Sequence, residues 1–343
     1  MRITQELLIK FAQDYVTKQT RKPNDIVAVF LTGSVLTPEP LIGGTTDIDL
    51  VMVHKEDPAV EREVQRVSYE ISLDIQHHHQ SFYTFHRRLR LNPWLGYDLC
   101  NHNGFLYDTD HWLEFIQAGV SAQFDTPETV FARSQAITER ARQLWFELED
   151  PQELPFEVWV DQYFKAVNTA ANGLAVLSGP ALPTRRFLLA FPERAEAAGR
   201  VELNETLLQL LSQVPLTQEL YAQARPSWQQ ALQAISKQPD CPPNLNLVRK
   251  AYYLNACDAM AESGSPAAAF WPLIETWREA IHHLEDKTPH QAAWKQFLEG
   301  LGLDENSKAE HVARLDNFLD QVEDVLTDWK KLTGCRFTFP QAS

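Results

Sequence analysis

All the clear β-type sequence in this chain lies between residues 26 and 75, and nothing after about Phe124 reads as a strand. Three short runs carry the signal: IVAVFL (26–31), DIDLVMV (47–53) and YEISLDI (69–75). The third alternates, with Ile71, Leu73 and Ile75 on one face and Ser72, Asp74 and Gln76 on the other, the pattern of a half-buried strand. The first two are more continuously apolar, as strands covered on both faces are. Apolar residues at Leu7, Leu8, Phe11 and Tyr15 predict a helix over Gln5 to Gln19, and the polar stretch Pro58 to Arg66 reads as helix-like. So few strands cannot organise 343 residues by themselves, and at about 150 residues per domain the length fits two domains.

The second half is helical in texture. Thr126-Pro127 pairs an N-cap residue with proline at the first helical position, and a helix-type run follows to Leu148. Pro151 and Pro155 break it; the next run, Phe156 to Leu177, stops at Ser178-Gly179-Pro180. Further runs cover about 204–236, 247–262, 267–284 and 307–332. No fixed period recurs, which argues against a solenoid. The expected class is α+β: a small mixed-sheet domain over 1–125, then an all-α helical bundle over 126–343.

Charge narrows the possible partners. Thirty-one Lys and Arg against 46 Asp and Glu give a net charge of −15, which repels phosphate backbones and argues against a dedicated nucleic-acid binder. The same field suits a cationic or metal-chelated ligand. Cys100, Cys241, Cys257 and Cys335 are widely spaced, so free thiols in a reducing compartment are expected rather than a disulfide framework. The first residues lack the apolar block of a signal peptide, and the longest apolar run, Ile26 to Leu31, is too short to cross a bilayer. A soluble, cytoplasmic protein is the expectation; the oligomeric state is left open.

The chemistry concentrates in one segment: Leu31-Thr32-Gly33-Ser34, twelve intervening residues, Asp47-Ile48-Asp49-Leu50, and then Asp74 on the next strand-type run. A strand ending in Gly33-Ser34 presents backbone N–H groups at a turn, where they can hold phosphate oxygens. Asp47 and Asp49 are two apart on a strand and share a face. Asp74 lies on the polar face of the following run. Three convergent carboxylates repel one another in a cleft, and divalent cations with hard oxygen preferences relieve that repulsion.

This arrangement resembles the DNA polymerase β-like nucleotidyltransferase superfamily, whose signature is a strand, Gly-Ser or Gly-Gly, a spacer of similar length, then Asp-h-Asp-h (h, a hydrophobic residue). The match falls at Gly33, Ser34, Asp47, Asp49 and Leu50, with Asp74 at the third carboxylate, and covers roughly residues 25–77. More loosely, the helical half resembles the bundles attached to small-molecule adenylyltransferases of the aminoglycoside-modifying kind. The resemblance implies a nucleotidyltransferase-fold domain that moves a nucleoside monophosphate, AMP from ATP foremost, to a hydroxyl of a small-molecule acceptor. It implies two Mg²⁺ held by Asp47 and Asp49, with Asp74 as metal ligand or general base and Gly33 and Ser34 on the phosphates. The expected alternatives are a protein-modifying nucleotidyltransferase of the toxin-antitoxin type and a catalytically silent nucleotide sensor. No Arg or Lys follows Gly33-Ser34, where many members of the superfamily carry one; Gly43-Gly44-Thr45-Thr46 is expected to compensate, with Thr45 and Thr46 as donors to the triphosphate.

Other features have plainer readings. In the His77-His78-His79 triplet only His77 and His79 could share a metal on a strand, and a polar strand end is favoured, with His78 on the Asp74 face beside an acceptor pocket. Trp145, Trp159, Trp271 and Trp277 are expected in the core. Glu157 and Asp161 share a helix face, as a solvated acidic strip or, in the sharper reading, with one of them as an acceptor-binding acid or second base. Arg185-Arg186 reads as salt-bridging.

Overall fold

The computed structural model describes residues 3–21, 25–149 and 154–336. Contacts divide the chain into two compact units, one of Met1–Phe124 with Leu232–Ser263 and the other of Asp125–Ala231 with Gly264–Ser343. Residues 232–263 belong by sequence to the helical half; their contacts place them with the sheet.

The first unit is built on five strands: β1 (Ile26–Thr32), β2 (Thr46–His54), β3 (Arg62–Arg66), β4 (Ile71–His79) and β5 (Phe105–Asp108), in the order β3-β4-β2-β1-β5. β2 and β4 run parallel and the other neighbours are antiparallel. Two strands depart from the expectation. Arg62–Arg66 is an edge strand on β4, not a helix. Its residues are half-buried to exposed, so it carries no apolar pattern, and its register comes from ladder bonds to β4. β5 is only four residues long and offers too little alternation to be read.

Both sheet faces are covered. The helix Gln5–Gln19, capped by Thr4, lays Leu8, Ala12 and Val16 onto Val29, Leu31, Ile48 and Leu50. The opposite face buries Val27, Ala28, Phe30, Val51 and Val53 against Tyr83, Leu89, Leu99 and the helix Trp112–Ser121. Both faces of β1 and β2 therefore bury apolar side chains, which accounts for their continuous apolar runs.

The second unit is helical. Thr126 caps the helix Pro127–Phe146, accepting a hydrogen bond from the Thr129 N–H. That helix packs with Phe156–Ala175 and Lys308–Thr333. Pro155 precedes the second helix; Pro151 lies outside the described residues. Trp159, Trp271 and Trp277 are buried, with Trp159 stacked on Tyr163 at 4.9 Å, while Trp145 is partly buried and its indole N–H donates to the Val312 carbonyl at 3.1 Å. The stretch read as one run over 204–236 is two helices, Glu202–Leu211 and Gln218–Ile235, and Phe187–Ala197 and Thr288–Gly300 are additional. Among the described residues no helix is long and apolar enough to cross a membrane.

Candidate active site

Strand register assembles the site. The parallel β2–β4 ladder sets Asp49 opposite Asp74, and the β1–β2 ladder sets Thr32 opposite Asp49, which brings Gly33 to the same rim. Asp47 and Asp49 lie on the β2 face whose next members, Val51 and Val53, are core, so the face changes from oil to acid within one strand. Carboxylate oxygens of Asp47, Asp49 and Asp74 lie within 4.8 Å of one another. Asp47 and Asp74 are buried, at 2% and 1% exposure.

Gly33 is fixed by this cluster. Its φ is +70°, and a Cβ there would stand 2.3 Å from Asp49 Oδ2. Only glycine accepts both the left-handed backbone and that approach. Burial pushes the Asp98 carboxyl up to about 7 against the lowering influence of the nearby Gly33 N–H. Ser34 follows Gly33 in a short turn over Gly33–Leu36 and is half-buried, with its hydroxyl 3.4 Å from that of Thr46.

The loop before Asp47 does something other than face a triphosphate. Thr46 Oγ1 donates to the Pro40 carbonyl at 3.0 Å, and Thr45 Oγ1 to the carbonyls of Ile42 at 3.0 Å and Tyr252 at 3.4 Å. Both threonines are 1% exposed. Gly43, at φ +59°, meets the backbone of the helix Lys250–Glu262: a Cβ would sit 2.0 Å from the Asn255 carbonyl oxygen. The loop is thus a seat for that helix.

At the start of the seated helix stands Arg249, 5% exposed and stacked 4.6 Å over the Tyr252 ring. Its Nη2 donates to Asp47 Oδ2 at 2.6 Å, and its Nη1 to Asp74 Oδ2. Arg62 on β3 clamps Asp74 from the other side, Nε to Oδ1 at 2.7 Å and Nη2 to Oδ2 at 2.6 Å. Sequence reasoning found neither arginine. Arg62 was legible only with β3 recognised as a strand, since Val64 pairs with Asp74 and Arg62 shares its face. Arg249 is 175 residues from Asp74, and no local pattern marks it.

The charges are unequally settled. Burial opposes ionisation of Asp74, yet the Arg62 hydrogen bond and both guanidinium charges outweigh it and hold its carboxyl below the ordinary range. At Asp49 the balance reverses: burial, then the Asp47 and Asp74 charges, outweigh the pull of Arg249 and Arg62 and drive its carboxyl well above that range. Among the described residues, two buried atoms at this centre have no hydrogen-bond partner, Asp47 Oδ1 and Arg249 Nε.

The donor set can be tested against a divalent cation on these grounds. Asp47 Oδ1 and the Asp49 carboxylate are hard, unspent oxygens on one rigid strand and fit such an ion. Asp74 is near enough, but both its oxygens are held by arginines.

The remaining candidates lie elsewhere. His77 bonds His54 at 3.0 Å and Glu63 at 3.3 Å, His78 bonds the Tyr83 hydroxyl at 2.7 Å, and His79 bonds Ser81 at 2.8 Å. Each imidazole is occupied within the first unit. In the second unit Asp161 pairs with Arg278, and Glu157 accepts from Gln291 at 3.2 Å. Arg185 is buried.

No family model matches the chain, and no curated protein is similar enough to count as a relative. Among solved structures, a nucleotidyltransferase-like protein from Exiguobacterium sibiricum 255-15 is similar at 12% identity, with 86% of this chain and 92% of that one covered and a TM-score of 0.27. A likeness that distant carries no weight for activity.

Proposed function

We propose that the chain is a nucleotidyltransferase, moving a nucleoside monophosphate, with AMP from ATP as first choice, to a hydroxyl of a small-molecule acceptor. One observation carries the reading: two buried unpartnered atoms of opposite character at the centre of an acidic cluster. Asp47 Oδ1 can only accept and Arg249 Nε–H can only donate, and buried polar groups are seldom left so. A divalent cation on a phosphate answers both.

Bound there, Mg²⁺ would polarise the reacting phosphoryl group and neutralise the departing pyrophosphate. Asp47 and Asp49 would hold it. Arg249 would offer its Nε–H to a phosphate oxygen, which supplies the cation missing after Gly33-Ser34. The Ser34 hydroxyl stands at the same rim. Thr45 and Thr46 position the loop and spend their hydroxyls on carbonyls. Asp74 anchors both guanidinium groups, and with both oxygens engaged it is poorly placed to take a proton from an acceptor hydroxyl.

A second reading, a silent nucleotide sensor, draws support from Arg249 bridging Asp47 and Asp74. Melting curves with ATP, GTP, CTP and UTP, with and without Mg²⁺, followed by pyrophosphate assays over aminoglycoside, sugar and protein acceptors, separate the two. Transfer requires Mg²⁺-dependent stabilisation, acceptor-dependent pyrophosphate release, and loss of both in Asp47→Asn/Asp49→Asn. A sensor gives the stabilisation without pyrophosphate. Pyrophosphate released only with a protein acceptor moves the assignment to the protein-modifying class. No nucleotide-dependent shift at all sinks every one of these readings.

A further inference from the structure

We infer that this site takes one divalent cation, seated on Asp47 and Asp49, and that the Arg249 guanidinium stands where a second ion would otherwise be needed. The inference deepens the transferase reading and rests on it for the identity of the bound anion, a phosphate. The count of oxygens leads to it. Of the six carboxylate oxygens in the cluster, Asp74 Oδ1 is taken by Arg62, Asp74 Oδ2 by Arg62 and Arg249, and Asp47 Oδ2 by Arg249. The open ones are Asp47 Oδ1, buried with no partner, and the two of Asp49, for which the described residues supply no hydrogen bond. Those suffice for one seat.

A second seat would need Asp74, and Arg249 would have to leave it. The fold opposes that departure. Gly43 lets the Lys250–Glu262 helix backbone come into contact, Thr45 Oγ1 bonds the Tyr252 carbonyl, and the guanidinium lies on the Tyr252 ring. Its charge is fixed at any working pH, so together with Arg62 it neutralises Asp47 and Asp74 permanently. Its Nε–H remains available for an anionic oxygen.

The test counts Mn²⁺ bound per full-length chain by loss of the free-ion electron paramagnetic resonance signal. Mn²⁺ is titrated alone and then with saturating α,β-methylene-ATP. One ion is expected in both titrations, lost in Asp49→Asn and retained in Asp74→Asn. Arg249→Gln is expected to gain a second ion. Arg249→Lys, which keeps the charge should the Gln variant fail to fold, is expected to stay at one. A second ion on the unaltered chain, loss of the ion in Asp74→Asn, or its survival in Asp49→Asn overturns the inference. Because Mn²⁺ is first counted without nucleotide, a chain that binds one ion but never releases pyrophosphate loses the transferase reading and keeps this one.

Discussion

Gly33 and Asp49 constrain each other: the glycine has no side chain because the carboxylate occupies the space that one would fill. Gly33→Ala should displace Asp49, cost about 1–3 kcal/mol from backbone strain alone, and abolish Mn²⁺ binding. Urea unfolding and the Mn²⁺ titration together check this. Asp98, behind the same turn, titrates at about 7 in the folded protein because burial disfavours its charge. A raised carboxyl pKa means that the folded state holds a proton which the unfolded chain has already released. The stability associated with it is therefore complete below the ordinary carboxylate range and is lost as pH rises through about 7. Asp98→Asn should melt later than the unaltered chain at pH 8, by clearly less at pH 5, and close to it only near pH 4. A pair of melting curves at each pH decides it.

Elements show where the sequence was readable. Asp47 and Asp49 were legible because a strand's period of two is rigid, and Asp74 because β4 alternates. β3 was not, because Arg-Glu-Val-Gln-Arg at a sheet edge has polar residues on both faces and takes its conformation from its neighbour. The loop Gly43-Gly44-Thr45-Thr46 was legible as special but not for its purpose. Its glycine clears space for another helix's backbone, a contact between distant segments that no local pattern encodes. Gly43→Ala would drive a Cβ into the Asn255 carbonyl and should destabilise the first unit by about 3 kcal/mol or more. If Arg249 depends on that seat, the variant also acquires the metal count of Arg249→Gln. An unchanged count would show that the helix holds its arginine without the loop.

At the scale of the molecule, the sheet-bearing unit is not a continuous stretch of chain. Met1–Phe124 supplies the carboxylates, and Leu232–Ser263 returns to supply the guanidinium that balances them. A chain ending at residue 231 should leave Asp47 uncompensated and lose about 3–5 kcal/mol through that broken pair alone, with lower protection of β2 and β4 amides in hydrogen exchange. This division also has a consequence for biosynthesis. Asp74 emerges from the ribosome 175 residues ahead of Arg249, an interval on the order of ten to thirty seconds at ordinary elongation rates. Throughout that wait the nascent sheet holds its acids with Arg62 alone, so the active centre closes only after most of the polypeptide has been translated.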